Sequence, residues 1–319
     1  MKSLRLWMAV SLTAVFSVSY AQTLEESIEA RNKGAELMAS GDIEGAITAL
    51  EKCVEISQKV GPEADENKTV AESALPGLYL QKADKILSTK DYEAALKAFT
   101  EVLAVAEKYK NDAVKEKIEK PMTEIYYAIG ATAFQKNDVA VALENLDIAI
   151  SRDPDHAKSY YIKGIIYQKQ ADENKMAENY KLAIEKADAN NDRNTSRNAK
   201  SALSKYYYNK GILALQKKSY DAAVTAFDQT IEVDDAFADA YFRLATCYNA
   251  KKDYDKAIAN AEKALAIKTT EKDGIYFELG NAYMAKKDNA KACEAFKQVK
   301  ADPYAANAKH QREIVLKCK

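Results

Sequence analysis

One pattern recurs seven times along the chain. KSYDAAVTAFDQTIEV (218–233) returns with substitutions as KKDYDKAIANAEKALAI (251–267) and KKDNAKACEAFKQV (286–299). Earlier copies are SGDIEGAITALEKCVEI (40–56), TKDYEAALKAFTEVL (89–103) and KNDVAVALENLDIAI (136–150), with a weaker one in QADENKMAENYKLAI (170–184). Aligned, they place Ala46, Ala95, Ala142, Met176, Ala223, Ala257 and Ala292 in register, at spacings of 49, 47, 34, 47, 34 and 35 residues. A period of this length makes each copy one supersecondary unit. Such a unit buries its apolar face only by stacking on its neighbours.

Local chemistry agrees with that register. Four residues before each aligned position stands a helix N-cap: Asp42, Asp91, Asp138, Asp172, Ser219, Asp253 or Asp288. Twelve before it lies a small residue: Gly34, Ala83, Gly130, Gly164, Gly211, Ala245 or Gly280. Four earlier again come Ala30, Tyr79, Tyr126, Tyr160, Tyr207, Tyr241 and Tyr276. Each unit is therefore expected to be two antiparallel helices, A then B. The small residue lets them approach, and the aromatic packs on a neighbouring helix. Scarce Gly (10) and Pro (5) suit helix throughout.

The aromatic-x2-Leu-Gly/Ala-x2-Tyr spacing followed by Ala, a large apolar and a small residue resembles the tetratricopeptide repeat (TPR) family. YFELGNAYMAKKDNAKACEAFKQV (276–299) and YFRLATCYNAKKDYDKAIANAEKAL (241–265) carry it most fully. The resemblance spans about residues 28–303. It implies an all-α, right-handed α-solenoid of helix-turn-helix repeats, with YAANAKHQREIVLKCK (304–319) as a C-terminal capping helix. The expected repeats are 27–57, 76–105, 123–154, 157–187, 204–235, 238–268 and 273–302. Departures are Ala30 and Lys33 in repeat one, and Met176 with a polar helix B in repeat four. Three links exceed the 34-residue period. EKYKNDAVKEKIEKP and NDRNTSRNAKSAL read as lengthened charged helices or helix-loop insertions, and GPEADENKT (61–69) as the most loop-like stretch.

Residues 1–21, MKSLRLWMAVSLTAVFSVSYA, read as a secretory signal peptide. Lys2 and Arg5 precede a short apolar stretch, and Ser19-Tyr20-Ala21 is a small-x-small cleavage site. The mature chain, 22–319, is then expected to be exported to a bacterial periplasm as a soluble protein without a transmembrane segment. With 47 basic and 48 acidic side chains, the sequence shows no electrostatic footprint for nucleic acid.

Adjacent helical residues point about 100° apart, so Tyr160 and Tyr161 cannot share one face. By the resemblance, helix A lines a concave groove. Tyr160 is then the packing residue and Tyr161 the groove residue. Its equivalents are Tyr127, Tyr208, Phe242 and Phe277. Ile165 and Ile212 stand four residues further on, with Ala131, Thr246 and Asn281 in the same place in the other repeats. Lys158 and Lys205 stand three residues before the stripe, and Arg243 follows Phe242. The functional expectation is a non-catalytic scaffold binding a protein or peptide of the cell envelope through these side chains. Alternatives are a glycan or cell-wall module stacking sugars on the aromatics, self-association within an envelope complex, or aromatics that only pack. An aromatic replaces the lysine of the carboxylate clamp used by some family members, so extended or helical apolar ligands are favoured.

Cys293 begins helix B of repeat seven and Cys318 ends the capping helix. In an antiparallel pair those ends meet, so a Cys293–Cys318 disulfide is expected. Cys53 and Cys247 are expected as buried free thiols. The two histidines, His156 and His310, lie in distant repeats. No metal-ligand cluster, phosphate loop or nucleophile motif is present, so neither enzyme nor cofactor is expected. Asp84 and Asp239 are candidate groove carboxylates without an apolar pocket to tune them.

Overall fold

A computed structural model describes residues 23–318. The expected signal peptide lies outside the described residues. Within them every regular element is helical. Seven antiparallel pairs follow one another: α1 (23–40) and α2 (Ile43–Val60), α3 (Asp65–Ser88) and α4 (Tyr92–Lys108), α5 (Asp112–Gln135) and α6 (Val139–Arg152). Then come α7 (Ala157–Lys169) and α8 (Glu173–Ala189), α9 (Arg193–Gln216) and α10 (Tyr220–Val233). Last are α11 (Ala238–Ala250) and α12 (Tyr254–Ile267), α13 (Asp273–Ala285) and α14 (Asn289–Gln298). Helix α15 (Ala305–His310) and a π-helical turn, Gln311–Val315, close the chain. This is the all-α repeat solenoid expected from the sequence. It divides into two compact units, one ending at Ser159 and the other beginning at Tyr160 within α7.

The turn between A and B has one backbone feature in every pair. The last residue before the cap has left-handed backbone: Gly41, Lys90, Asn137, Ala171, Lys218, Lys252 or Lys287. In six of the seven pairs that conformation folds the chain back so that the cap residue's own N–H reaches a carbonyl five residues earlier, as Asp138 does to Ala133 and Asp253 to Tyr248, whereas the Asp91 N–H donates to Thr89 Oγ1. The cap carboxylate then accepts from the backbone three residues on, as in Asp42 to Gly45 and Asp172 to Lys175. Ser219 holds the cap position in α10 without such a side-chain bond.

The three long links are resolved as helix. Helices α3, α5 and α9 have 24 residues each, against 13 in α7, α11 and α13. Asn111 and Asp192 cap α5 and α9. The stretch 61–69 is not the loop its composition suggests. Gly61 turns, 62–64 form one 3-10 turn, and α3 starts at Asp65. Helices α3 and α5 thus start at Asp65 and Asp112, upstream of residues 76 and 123 where repeats two and three were expected to begin, and run through Pro76 and Pro121.

Between A and B the register residues carry the core. Ala46, Ala95, Ala142, Met176, Ala223, Ala257 and Ala292 are all buried. A methyl placed on Gly164, Gly211 or Gly280 would lie 2.5 to 2.6 Å from the ring of Tyr180, Phe227 or Phe296. Bare backbone at these positions lets the B-helix ring sit flat on helix A. The first pair adds a polar cluster to its apolar core. Ser27 and Ser57 share a 2.7 Å hydrogen bond, Asn67 donates to Ser27 at 3.2 Å, and the Cys53 thiol points at the Asn67 carbonyl. At the other end, a Cys293–Cys318 disulfide ties the final turn to α14, with Cα atoms 5.8 Å apart. Ala308 of α15 is buried beside Phe296 and Val299.

Candidate functional site

Tyr160 and Tyr161 are both half-buried, on different faces of α7. The Tyr161 ring lies 6.0 Å from Tyr180 of helix B in the same repeat. Tyr180, fully buried, donates its hydroxyl to Gln168 at 2.7 Å, and burial pushes its phenol well above the usual range. The arrangement recurs. Tyr208 is 5.7 Å from Phe227 and 5.0 Å from Phe237 at the start of the next A helix. Phe277 is 5.9 Å from Phe296 and 5.4 Å from Tyr304 of the cap segment. Three of the five expected stripe aromatics are therefore braced from behind by a B-helix ring. In two repeats the chain entering the next helix supplies a second brace. These tilted ring pairs each contribute roughly 1 kcal/mol beyond their buried area.

Phe242 departs from this. It is only 9% exposed, so it is a core residue rather than a surface one. Gly274 at the start of α13 makes this possible, because a side-chain carbon there would stand 2.7 Å from the Phe242 ring. Arg243 covers the ring face instead, its guanidinium 4.6 Å from the centroid and its Nε buried without a hydrogen-bond partner. Repeat six accordingly presents a cation where repeats four, five and seven present a ring.

The A-helix surface of the second unit also carries Ile165 and Ile212, both half-buried, with Lys205 exposed. Leu213 is 58% exposed, the most open apolar residue on α9. With Gln168, Ala202, Lys205, Tyr206, Asn209 and Lys210 it lines a shallow hollow of about 430 Å³. Towards α13 the surface becomes polar. Thr246 and Asn249 donate to the Glu278 carboxylate at 3.1 and 2.7 Å. Sequence reasoning did not find this network. Nor did it find the bracing rings, although an aromatic sixteen residues after Gly164, Gly211 and Gly280 was the signal for them.

In the first unit Tyr127 lies edge-on to His156 at 5.1 Å, with the Lys158 ammonium 5.8 Å from its ring. His156 is buried, bonded through Nδ1 to Ser159 at 2.8 Å, and its Nε2 lies 3.4 Å from Glu124. Lys158 reaches the same Glu124 oxygen at 3.4 Å. His156 first, then Lys158, hold the Glu124 carboxyl below its ordinary range. Lys158 is thus already paired.

Asp84 and Asp239 differ in setting. Burial raises the Asp84 carboxyl, while Asp239 is ion-paired to Lys268 at 2.7 Å. Cys53 and Cys247 are buried free thiols, and burial pushes Cys247 up to about 11. Among the described residues no group of three or more His, Cys, Asp or Glu could hold a metal. No helix among them is long and apolar enough to cross a membrane.

Comparison with known proteins places this geometry in context. Two family models, both described as tetratricopeptide repeat, match residues 127–191 and 208–273, and residues 32–60 and 274–300. Over 154 residues, 46% of this chain, the sequence is 27% identical to DnaJ homolog subfamily C member 7 of Homo sapiens. That match spans 30% of the human protein's length. Among solved structures, the chain is similar to a tetratricopeptide repeat protein from Parabacteroides merdae (16% identity, 93% of this chain, 100% of that one, TM-score 0.30). It is also similar to the TPR2AB-domain:pHSP90-complex of yeast Sti1 (18% identity, 91% and 96%, TM-score 0.33).

Proposed function

The chain belongs to the tetratricopeptide repeat family, and on that premise we propose that it is a non-catalytic interaction scaffold taking a protein or peptide partner on its A-helix face. The observation that carries this reading is the bracing of Tyr161, Tyr208 and Phe277. Each is half-buried, so its ring edge meets solvent while its back is fixed by another ring. A side chain held this way loses little rotamer freedom on binding, so more of the contact energy appears as affinity. Ile165 and Ile212 add apolar surface one turn along from Tyr161 and Tyr208, and Lys205 and Arg243 set basic flanks. The partner is a protein or peptide of the cell envelope with an apolar or aromatic segment, met after export. The export reading rests on residues 1–21. A protein partner is preferred to a glycan because aliphatic Ile165 and Ile212 stand one turn along from Tyr161 and Tyr208.

The test is affinity capture from an envelope extract with wild-type protein and a Tyr161→Ala, Tyr208→Ala double variant. The expected result is a protein enriched on the wild type and reduced at least tenfold on the variant, with both baits equally folded by circular dichroism. Equal capture by both baits would remove the A-helix aromatics from the binding site.

A further inference from the structure

Charge is distributed unevenly along the array. Residues 23–159 hold 17 Lys and Arg against 26 Asp and Glu, a balance of −9. Residues 160–319 hold 28 against 22, a balance of +6. Most of the negative excess falls in the first repeat, where residues 23–66 hold 4 basic and 11 acidic side chains. Glu25, Glu26 and Glu29 of α1 and Asp65 and Glu66 of α3 are exposed, and the Asn67–Ser27 hydrogen bond joins the starts of those two helices.

The positive counterpart has a regular construction. The A–B turns of repeats five, six and seven each carry a lysine pair: Lys217-Lys218, Lys251-Lys252 and Lys286-Lys287. In repeats six and seven the first lysine bonds back to helix B of the preceding repeat, Lys251 to Asp221 and Lys286 to Asp255. These ties make the three turns neighbours along one edge. The second lysine of each pair is exposed and enters no ion pair. Lys218, Lys252 and Lys287 also hold φ of 56°, 64° and 65°, the left-handed region in which glycine is more stable than any residue with a side chain. Three strained positions on one edge therefore keep a cation where the fold alone would favour glycine. Lys90, Asn137 and Ala171 hold the same position in repeats two to four, so the geometry belongs to the turn, and the run of three adjacent lysine pairs is what distinguishes repeats five to seven.

We propose that the protein associates head to tail with a second copy of itself, the lysine row of repeats five to seven docking on the acidic first repeat of its neighbour. The contact is heterologous, because the two surfaces differ, so it extends into open chains rather than closing as a two-fold dimer. Single exposed ion pairs contribute little, and the row acts only as a set. It uses residues apart from the aromatic face, so it holds or fails independently of the partner proposed above.

Sedimentation equilibrium of the purified protein tests this at about 0.01 M and about 1 M salt, between which the screening length falls from about 30 Å to about 3 Å. At low salt the average mass should climb with concentration, and at high salt it should return to that of the monomer. The variant K218G/K252G/K287G removes the charges while giving each turn its preferred residue. It should keep or raise the melting temperature and weaken association at least tenfold. A wild type that stays monomeric at low salt overturns the proposal. So does a triple variant that associates like the wild type. Binding of monomers to phosphatidylglycerol vesicles, lost in the triple variant and without self-association, would also overturn it and assign the row to an anionic membrane surface.

Discussion

Gly164, Gly211 and Gly280 set how closely helix A approaches its own helix B. Their bare backbone lies against Tyr180, Phe227 and Phe296, so Gly211→Ala should destabilise by about 1–3 kcal/mol through overpacking, read by urea unfolding. Gly77 is the contrasting case. It lies within α3 with nothing within 4 Å of an added methyl, and Gly77→Ala should stabilise by about 1 kcal/mol. The first group was legible in the sequence, because a small residue twelve before the register alanine has no other use in a helix pair. Phe242 was not. Its position marks it as a surface aromatic, and only the missing side chain of Gly274, on the next repeat, lets it turn inward. Cys247 gives a residue-scale test of burial. With its thiol pushed up to about 11, it should stay protonated and resist iodoacetamide at pH 8 in the folded protein. Its alkylation should become fast only on unfolding, followed by peptide mass mapping. Fast alkylation of the native protein would contradict the burial assigned here.

At the scale of elements, local rules located the turns and left the long helices open. The Asp N-caps could be read directly, since a carboxylate one residue before a helical pattern has a specific donor to meet. Asp138→Ala, removing the bond to the Val141 N–H, should cost about 1 kcal/mol in thermal unfolding. The early starts of α3 and α5 were obscured by Pro76 and Pro121, which normally mark a helix boundary because proline removes a donor and crowds the preceding turn. Buried neighbours such as Leu75 and Leu78, or Ile118 and Met122, hold the helices together across those sites. The C-terminal element depends on the covalent tie. Cys318→Ser opens a loop with a sequence separation of 25, and chain-entropy arguments put its contribution at about 3 kcal/mol. Hydrogen exchange in that variant should show residues 301–318 losing protection while α9 to α12 keep theirs. Unchanged protection at the end of the chain would mean packing of Ala308 and Tyr304 suffices.

Across the second unit, stacking turns a weak local pattern into a row of A-helix aromatics interrupted at Phe242. Repeats four, five and seven each contribute an A-helix aromatic, and the B-helix ring behind it makes that aromatic rigid. The stripe's existence was legible from one residue per repeat. Its interruption at Phe242 and the cation over that ring required the packing between successive repeats. If a partner sits on the A-helix aromatics, in-cell photo-crosslinking from positions 161 and 208 should capture it, with exposed Glu178 of α8 as control. One envelope protein captured from both aromatic positions and absent at 178 is the predicted result. Capture at 178 alone, or adducts at 161 and 208 no stronger than the control, would contradict it and leave these rings as core packing.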